Sequence, residues 1–160
     1  MSQQIKLSNS LQTALVDDED FYHLSQFDWW SVEDGLTTYA VTEINGVGIR
    51  MHQLLMQSRG TNLTPDHIDG NGLNNKRFNL RLANAQQQGR NKQKTLSNTS
   101  SQYKGVTYRK KGRKHWEASI QLKPKETTYL GTYFTEIGAA KAYNEAALKH
   151  FGEFACINEL

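Results

Sequence analysis

The sequence contains few cysteines, few prolines and no long apolar segment. One cysteine, Cys156, and two prolines occur in 160 residues. A single cysteine excludes an intrachain disulfide framework and a zinc site built from several cysteines. No apolar run approaches the ~20 residues that a membrane-spanning helix needs. Residues 1–15 also lack the basic segment followed by an apolar one that marks a signal peptide. We therefore expect a cytoplasmic protein without a membrane partner.

Apolar side chains are also scarce. Hydrophobic residues make up 37% of the chain, and its mean hydropathy is −0.71. This length accommodates one ordinary domain or two small ones, and the polar composition predicts small cores.

The charge is distributed unevenly along the chain. Residues 1–60 have three basic and eight acidic side chains, a net charge of −5, whereas residues 61–160 have sixteen and eight, a net charge of +8. Within residues 76–125 there are fourteen basic side chains and one acidic side chain, Glu117. Aromatic residues, among them Tyr108 and Trp116, are interspersed in that window. A polyanion, and specifically nucleic acid, is the partner that this pattern favours.

The first half of the chain reads as short strands with turns. Asp34-Gly35 and Asn45-Gly46 are hairpin-turn signals. The acidic run 17–20 is expected to open a short helix, because carboxylates stabilise a helix N-terminus. The segment Met51–Met56 has apolar residues at helical spacing, and Asn84 is the predicted N-cap of a later polar helix.

The C-terminal third has a clearer pattern. Apolar and polar residues alternate over residues 116–122, which predicts a strand with one buried face. A third strand is expected over residues 127–134. Thr135 is a plausible N-cap for a helix whose apolar positions, including Tyr143, recur every three or four residues. These elements predict a three-stranded antiparallel sheet packed on one helix.

Residues 64–91 carry the side chains best suited to chemistry. Hydrolysis of a phosphodiester needs a base for water and oxygen ligands for a hard cation. His67 is suited to be the base, because imidazole titrates near neutral pH. Asp66 is suited to bind Mg²⁺, with an amide oxygen from the following helix as a second ligand. Asn79 is suited to hold a ring nitrogen of His67.

Each of these features alone also has an ordinary structural interpretation. A histidine beside an aspartate is usually structural, and the Asp69-Gly70-Asn71 segment is usually only a turn. A calcium loop of the EF-hand kind is excluded, because Ile68 and Gly70 would occupy two of its oxygen-ligand positions.

In combination, the motifs Asp66-His67-Ile68-Asp69-Gly70-Asn71, Asn74-Asn75 and Asn79-Leu80-Arg81 resemble the HNH endonuclease family of ββα-metal nucleases. The resemblance covers about residues 50–92. It implies that His67 is the general base, that Asn79 orients it and that Asp66 binds one divalent ion, Mg²⁺ or Mn²⁺. The family's helix ligand, Asn or His, corresponds to Gln88 here, with Asn91 one turn later as the substitute.

Residues 102–157 resemble the apetala-two (ethylene-response-factor) DNA-binding domain of plants. The matching motifs are Tyr103-Lys104-Gly105-Val106, residues 116–120, Tyr129-Leu130-Gly131-Thr132-Tyr133, residues 139–144 and Phe151-Gly152. In that family the sheet lies in the major groove. The resemblance and the basic turn at residues 110–114 imply a set of DNA-binding residues: Lys104, Thr107, Arg109, Lys111, Arg113, Lys114, Ser119, Gln121 and Tyr129.

The sequence therefore predicts an α+β endonuclease of the homing type, with double-stranded DNA as its partner, no obligate protein partner and a bacterial or phage-infected cell as its setting. We expect an HNH nuclease region at 1–96, a linker at 97–101 and an apetala-two-type domain at 102–160. The alternative is a non-cleaving DNA-binding regulator with a degenerate nuclease motif. An RNA-binding module is a weaker third possibility, since the aromatic sheet motif of common RNA readers is absent.

Overall fold

The computed structural model describes residues 1–57, 62–94, 99–113 and 115–160. The chain forms two compact units, Met1–Gln88 and Gly89–Leu160. The structural division lies earlier than the predicted end of the nuclease region at residue 96. Lys94 lies before residue 96 but belongs to the second unit. Its Nζ donates to the carbonyl oxygen of Tyr103 at 2.7 Å, and this bond joins the segment around Lys94 to the second unit. Residues 97 and 98 of the predicted linker lie outside the described residues. The functional assignment of each unit stays a prediction.

The first unit consists of short strands in three antiparallel sheets, with orders β1-β2, β3-β4-β5 and β6-β7. Its elements are β1 (Ser2–Lys6), β2 (Thr13–Asp17), α1 (Asp18–Leu24), β3 (Trp30–Asp34), β4 (Thr37–Ile44), β5 (Val47–Arg50), α2 (Met51–Met56), β6 (Thr64–His67) and β7 (Leu80–Ala83). A further helix, α3 (Ala85–Asn91), contains the division between the units.

Several local predictions are confirmed in the first unit. Asn45 and Gly46 join β4 to β5 with φ angles of 53° and 77°, as a two-residue hairpin turn requires. The acidic run opens α1, which has three carboxylates in its first turn. Asn84 caps α3 reciprocally with Gln87, because each side chain accepts the other's backbone N–H, at 2.8 and 2.9 Å.

The core of the first unit lies between the β1-β2 hairpin, α1 and the start of α2. Trp29 is 2% exposed and donates from Nε1 to the carbonyl oxygen of Leu24 at 2.8 Å, so its polar atom is satisfied inside the core. Around it pack the small and medium apolar residues Ile5, Leu7, Ala14, Val16, Leu24, Ala40 and Met51.

The second unit has one antiparallel sheet of order β10-β9-β8 and one long helix. Its elements are β8 (Val106–Tyr108), β9 (Trp116–Lys123), β10 (Glu126–Tyr133) and α4 (Glu136–Phe151). Thr135 caps α4 by accepting from the backbone N–H of Gly138 at 3.0 Å. The predicted three strands and one helix are therefore present.

The apolar face of α4 packs on one face of this sheet. Tyr143 is 4% exposed and belongs to the core with Ile120 and Ala147, as its helical spacing predicts. Burial raises the pKa of Tyr143 to about 12. Gly105 lies so close to this ring that a Cβ there would come within 2.0 Å of it, and its φ of 74° also favours glycine.

The described residues thus combine small antiparallel sheets with four helices, which agrees with the predicted α+β class. Among them, none of the helices has the length and apolar character that crossing a membrane requires.

Candidate active site and nucleic-acid face

The β6-β7 hairpin positions the candidate metal ligand. Asp66 lies directly opposite Arg81 in the antiparallel register. The Nε and one terminal nitrogen of Arg81 donate to Oδ2 of Asp66, at 3.2 and 3.1 Å. The side chain of Asp66 is 14% exposed and that of Arg81 is 9% exposed. The guanidinium of Arg81 therefore supplies a charge opposite to that of the Asp66 carboxylate.

The candidate base follows Asp66 at the end of β6. His67 is 5% exposed. Its Nε2 lies 3.3 Å from Oδ1 of Asn75, a contact that is a hydrogen bond in the tautomer with the proton on Nε2. Burial lowers the pKa of His67, while the bond to Asn75 and the carboxylates of Asp69 and Asp66 act in the opposite direction. A lowered pKa keeps the imidazole neutral at neutral pH, as a proton acceptor must be.

The loop between β6 and β7 is organised by Asp69. Its Oδ1 accepts from the backbone N–H of Asn71 at 2.9 Å and from Nδ2 of Asn79 at 2.9 Å. Its Oδ2 accepts from Nδ2 of Asn74 at 2.7 Å. In return, Oδ1 of Asn79 accepts from the backbone N–H of Asp69 at 3.1 Å. The aspartate and asparagines of the motif therefore form one hydrogen-bonded loop rather than independent turn residues.

Asn79 and Asn75 divide the role that the sequence analysis gave to Asn79 alone. The side chain of Asn79 bonds to Asp69 and to the carbonyl oxygen of Asn74, whereas Asn75 contacts the His67 ring. The reason is geometric, because Asn79 ends a short 3-10 turn and its own carbonyl accepts from the backbone N–H of Ile68 at 2.8 Å. Asn79 thus holds the loop that carries the histidine.

The same loop is anchored on two other sheets of the first unit. The backbone of Leu15 on β2 exchanges hydrogen bonds with Leu73 and Asn75, each at 2.8 Å. The backbone N–H of Gly72 donates to Oγ1 of Thr37 at 2.8 Å. A Cβ at Gly72 would lie 2.5 Å from the carbonyl oxygen of Thr38, so only glycine allows this close approach.

Two rings, those of His52 and Tyr39, pack against the candidate base. The ring centroids of His52 and His67 are 4.7 Å apart, and Tyr39 lies 5.4 and 5.9 Å from them. The guanidinium of Arg50 lies 4.2 Å from the centre of the Tyr39 ring and pairs with Asp34 at 2.7 Å. This positive charge also acts to lower the pKa of His67.

The candidate helix ligand is tethered to the strand that carries Asp66. Nε2 of Gln88 donates to Oγ1 of Thr64 at 2.6 Å and lies 3.5 Å from the carbonyl oxygen of Pro65. Its amide is therefore held beside β6, two residues before Asp66. Asn91, the substitute candidate, belongs to the second unit.

The predicted magnesium site would have two protein donors, Asp66 and the amide of Gln88. Among the described residues, no group of three or more His, Cys, Asp or Glu side chains forms a metal cage. Mg²⁺ typically keeps several waters and uses one or two carboxylates together with substrate phosphate. One carboxylate, Asp66, and one amide from Gln88 fit that requirement.

The second unit presents a polar face on the side of the sheet opposite to α4. Thr107 pairs with Glu117, Ser119 with Tyr129 and Gln121 with Thr127. Because side chains alternate along a strand, these residues project from the same face. The structure thus brings four predicted DNA-binding residues together on one face: Thr107, Ser119, Gln121 and Tyr129.

The basic candidates have different environments. Arg109 pairs through a terminal nitrogen with Glu117 at 2.7 Å, at one edge of the polar face. Lys111 and Arg113 are exposed in the β8-β9 turn. Lys114, also predicted to bind DNA, lies outside the described residues.

Lys104 has a structural role that the sequence analysis did not predict. Its Nζ donates to the carbonyl oxygens of Arg90 at 2.7 Å and Lys92 at 2.6 Å. Burial lowers the pKa of its ammonium group. These two bonds give Lys104 a structural role within the second unit, and its place among the DNA-binding residues stays a prediction.

Sequence reasoning missed the residues that surround the base. Tyr39 and His52 lie outside residues 64–91, whereas Thr64 and Asn75 lie within that stretch but received no role of their own from the sequence. One signal was present for His52, since a histidine stands among the apolar positions of α2. No sequence signal indicated that α2 packs beside β6.

Comparison with known proteins supports both parts of the predicted organisation in outline. The chain is 44% identical over 95 residues to a protein of Acanthamoeba polyphaga mimivirus named as an uncharacterized HNH endonuclease; the match covers 59% of this chain and 46% of the viral protein. It is 47% identical over 60 residues to the APETALA2-like protein 2 of Oryza sativa, in both the indica and japonica subspecies; the match covers 37% of this chain and 13% of each rice protein.

These similarities are partial. The chain spans about half the length of the viral relative and a much smaller part of the rice proteins. No family model matches the chain, and no solved structure matches it. The chain is therefore similar in part to an HNH endonuclease and in part to an apetala-two-like protein.

Proposed function

We propose that this protein is a metal-dependent endonuclease that hydrolyses phosphodiester bonds in double-stranded DNA, in the manner of a homing endonuclease. The observation that carries the proposal is the buried, neutral His67 beside an Asp66 whose charge is compensated by Arg81. The similarity to a viral protein named as an HNH endonuclease supports it.

His67 acts in this proposal as the general base. In the tautomer that bonds Asn75, the proton is on Nε2, and Nδ1 has the lone pair that accepts a proton from water. The surrounding rings exclude bulk solvent from the imidazole, and its lowered pKa keeps it unprotonated at neutral pH. Asn79 and Asp69 hold the loop in place while the proton moves.

Asp66 and the amide oxygen of Gln88 would hold the divalent ion, Mg²⁺ or Mn²⁺, with Asn91 as the alternative helix ligand. Such an ion supplies Lewis-acid stabilisation of charge on the phosphate and the leaving oxygen. Arg81 fixes the orientation of Asp66 by donating twice to one carboxylate oxygen. Thr64 holds the nitrogen of the Gln88 amide, which orients the oxygen end of that group.

The second unit is proposed to bind the major groove and select the target. Its polar sheet face offers hydroxyl, amide and phenol groups that suit base edges, and its β8-β9 turn offers cations that suit phosphates. The similarity to APETALA2-like proteins supports this assignment. A tethered groove reader also raises the local concentration of a nuclease that has little sequence preference of its own.

The test is cleavage of supercoiled plasmid DNA with Mg²⁺, with and without EDTA, by the full chain and by His67→Ala. We expect cleavage by the native protein with Mg²⁺, and loss of cleavage in EDTA and in the variant. His150→Ala, an exposed histidine on α4, is the matched control and should cleave normally. Cleavage that survives EDTA or His67→Ala would contradict the proposed mechanism.

A non-cleaving DNA-binding regulator is the second candidate. The observation that favours it is Gln88 at the helix-ligand position, with its amide nitrogen already bonded to Thr64. This candidate predicts sequence-specific DNA binding without Mg²⁺-dependent cleavage in the same plasmid assay.

A further inference from the structure

A second buried histidine lies against the candidate base. His52, in the first turn of α2, is 4% exposed. Its ring meets the ring of His67 at an interplanar angle of 79°, with a centroid separation of 4.7 Å. On another side it contacts Tyr39 at 5.4 Å. His52 therefore packs against both the half-buried ring of Tyr39 and the imidazole to which we assign the chemistry.

Hydrogen bonding does not account for a histidine at this position. Nδ1 of His52 is buried and has no hydrogen-bond partner among the described residues. An unbonded buried polar atom is unfavourable, and native proteins rarely retain one without a reason. Burial also lowers the pKa of His52 to about 3, so the ring is neutral and contributes no charge to the site near neutral pH. The features of His52 that can act on the site are therefore the shape of its ring and the contact of that ring with His67.

The contact with His52 bears on the orientation of the His67 ring. Rotation of a histidine ring about its Cβ–Cγ bond is broad and weakly restricted by the side chain itself. The contact between His67 and Asn75 is 3.3 Å long, beyond the usual 2.9–3.0 Å of an N–H···O bond. A flat neighbour packed edge-to-face adds a restriction on this rotation along the whole face of the ring.

We propose that His52 is a positioning residue, whose ring packs edge-to-face against His67 and holds the imidazole in the orientation that accepts a proton from water. This inference rests on the proposed function, in which His67 is the base. The separation of 4.7 Å is near the short limit of about 4.5 Å for paired rings. A phenyl ring at this position would keep the flat surface, whereas an aliphatic side chain lacks it.

The kinetic test compares His52→Phe with His52→Leu under single-turnover conditions. His52→Leu should lower the cleavage rate constant about 10–100-fold, the range for residues that orient catalytic groups, with the DNA concentration for half-saturation unchanged. His52→Phe should keep most of the rate. Equal losses in both variants, no loss in His52→Leu, or a loss confined to DNA binding would overturn the proposal.

A stability control separates positioning from damage to the fold. Met51→Ala removes the fully buried side chain next to His52 and destabilises the same turn of α2 without touching the ring pair. We expect it to lower the melting temperature at least as much as His52→Leu while it leaves the cleavage rate at room temperature largely intact. If Met51→Ala slows cleavage as much as His52→Leu does, the effect of His52 is structural only.

A spectroscopic test does not depend on cleavage. The ring carbon–proton resonances of His67, assigned by their loss in His67→Ala, should form one sharp set in the native protein and in His52→Phe. In His52→Leu they should broaden or split as the ring samples several orientations. If no protein cleaves DNA but these changes occur, the proposed function fails while the ring contact is supported. Unchanged His67 resonances in His52→Leu would overturn the positioning role itself.

Discussion

The two units place their candidate functional side chains in opposite environments. In the first unit, His67, Arg81 and Asn79 are each less than a tenth exposed, and hydrogen bonds and ion pairs fix the motif loop. In the second unit, Tyr129 is 58% exposed, and the cations of the β8-β9 turn project into solvent. Burial changes the pKa and fixes the orientation of a side chain, whereas exposure leaves it free to meet a large partner.

The comparison also distinguishes two uses of positive charge. Arg81 is buried in the first unit and pairs with a carboxylate, and Lys104 is partly buried in the second unit and donates to two backbone carbonyls. Lys111 and Arg113 have no such role and remain exposed. A count of basic residues in the sequence therefore overestimates the charge available to DNA.

The largest expected effect tests whether burial in the first unit serves catalysis. His67→Ala should reduce the cleavage rate by ~10²–10⁴-fold or more, because it removes the proton acceptor, while DNA affinity stays nearly unchanged. Rate constants from single-turnover cleavage and dissociation constants from gel-shift assays provide the two measurements. A variant that cleaves as fast as the native protein would show that buried His67 is structural.

The next effect concerns the helix ligand. Gln88→Ala should raise the Mg²⁺ concentration for half-maximal cleavage by about 10–100-fold, as expected when a metal site loses an orienting group or ligand. Thr64→Val, which removes only the hydroxyl that holds the amide, should give a smaller shift. Asn91→Ala should give none.

If neither helix variant changes the Mg²⁺ requirement, the amide position does not act in metal binding. Asp66, substrate phosphate and water would then hold the ion. A shift for Asn91→Ala alone would transfer the role to the substitute ligand.

A smaller effect concerns stability at acid pH. The folded pKa of His52 is about 3, below its ordinary value of 6.5, so between these values the unfolded chain binds a proton that the folded chain does not. Stability is therefore lost as the pH falls through this window. From pH 6.5 to 5, this group should contribute a loss of about 2 kcal/mol, at ~1.4 kcal/mol per pH unit.

Denaturant unfolding at pH 7.5 and pH 5 measures this loss. The native protein should lose more stability than His52→Phe, since the phenyl ring has no proton to bind. We expect the pKa of His67 to be lowered by burial in both proteins, so the contribution of His67 to the loss of stability cancels in the comparison. Equal losses would indicate that His52 is protonated or solvated in the folded protein.

The smallest effects test the two kinds of cation. Lys111→Ala should reduce the slope of log binding constant against log salt by roughly 0.9, the value for one phosphate contact, on target and scrambled duplexes alike. Lys104→Met should leave that slope unchanged and lower the melting temperature, because Lys104 bonds to backbone carbonyls. Gel-shift titrations across a salt series and thermal unfolding distinguish the two, and a reduced slope for Lys104→Met would return that residue to the DNA surface.

Much of the local structure could be predicted from the sequence, because it depends on neighbouring residues. The Asn45-Gly46 turn, the Asn84 and Thr135 caps and the alternation of β9 follow from backbone preferences and short-range hydrogen bonds. The apolar stripe that buries Tyr143 is likewise set by helical periodicity. The placement of Asp66 beside His67 is a matter of adjacency in the chain.

The tertiary structure decided which distant residues complete these local patterns. Arg81 reaches Asp66 through strand register, Gln88 reaches Thr64 through the packing of α3, and His52 reaches His67 through the packing of α2. Likewise, only the folded second unit shows that Lys104 is enclosed while Lys111 is exposed. The physical reason is that periodicity and turn chemistry act over a few residues, whereas burial and ion pairing depend on which surfaces meet when the chain folds.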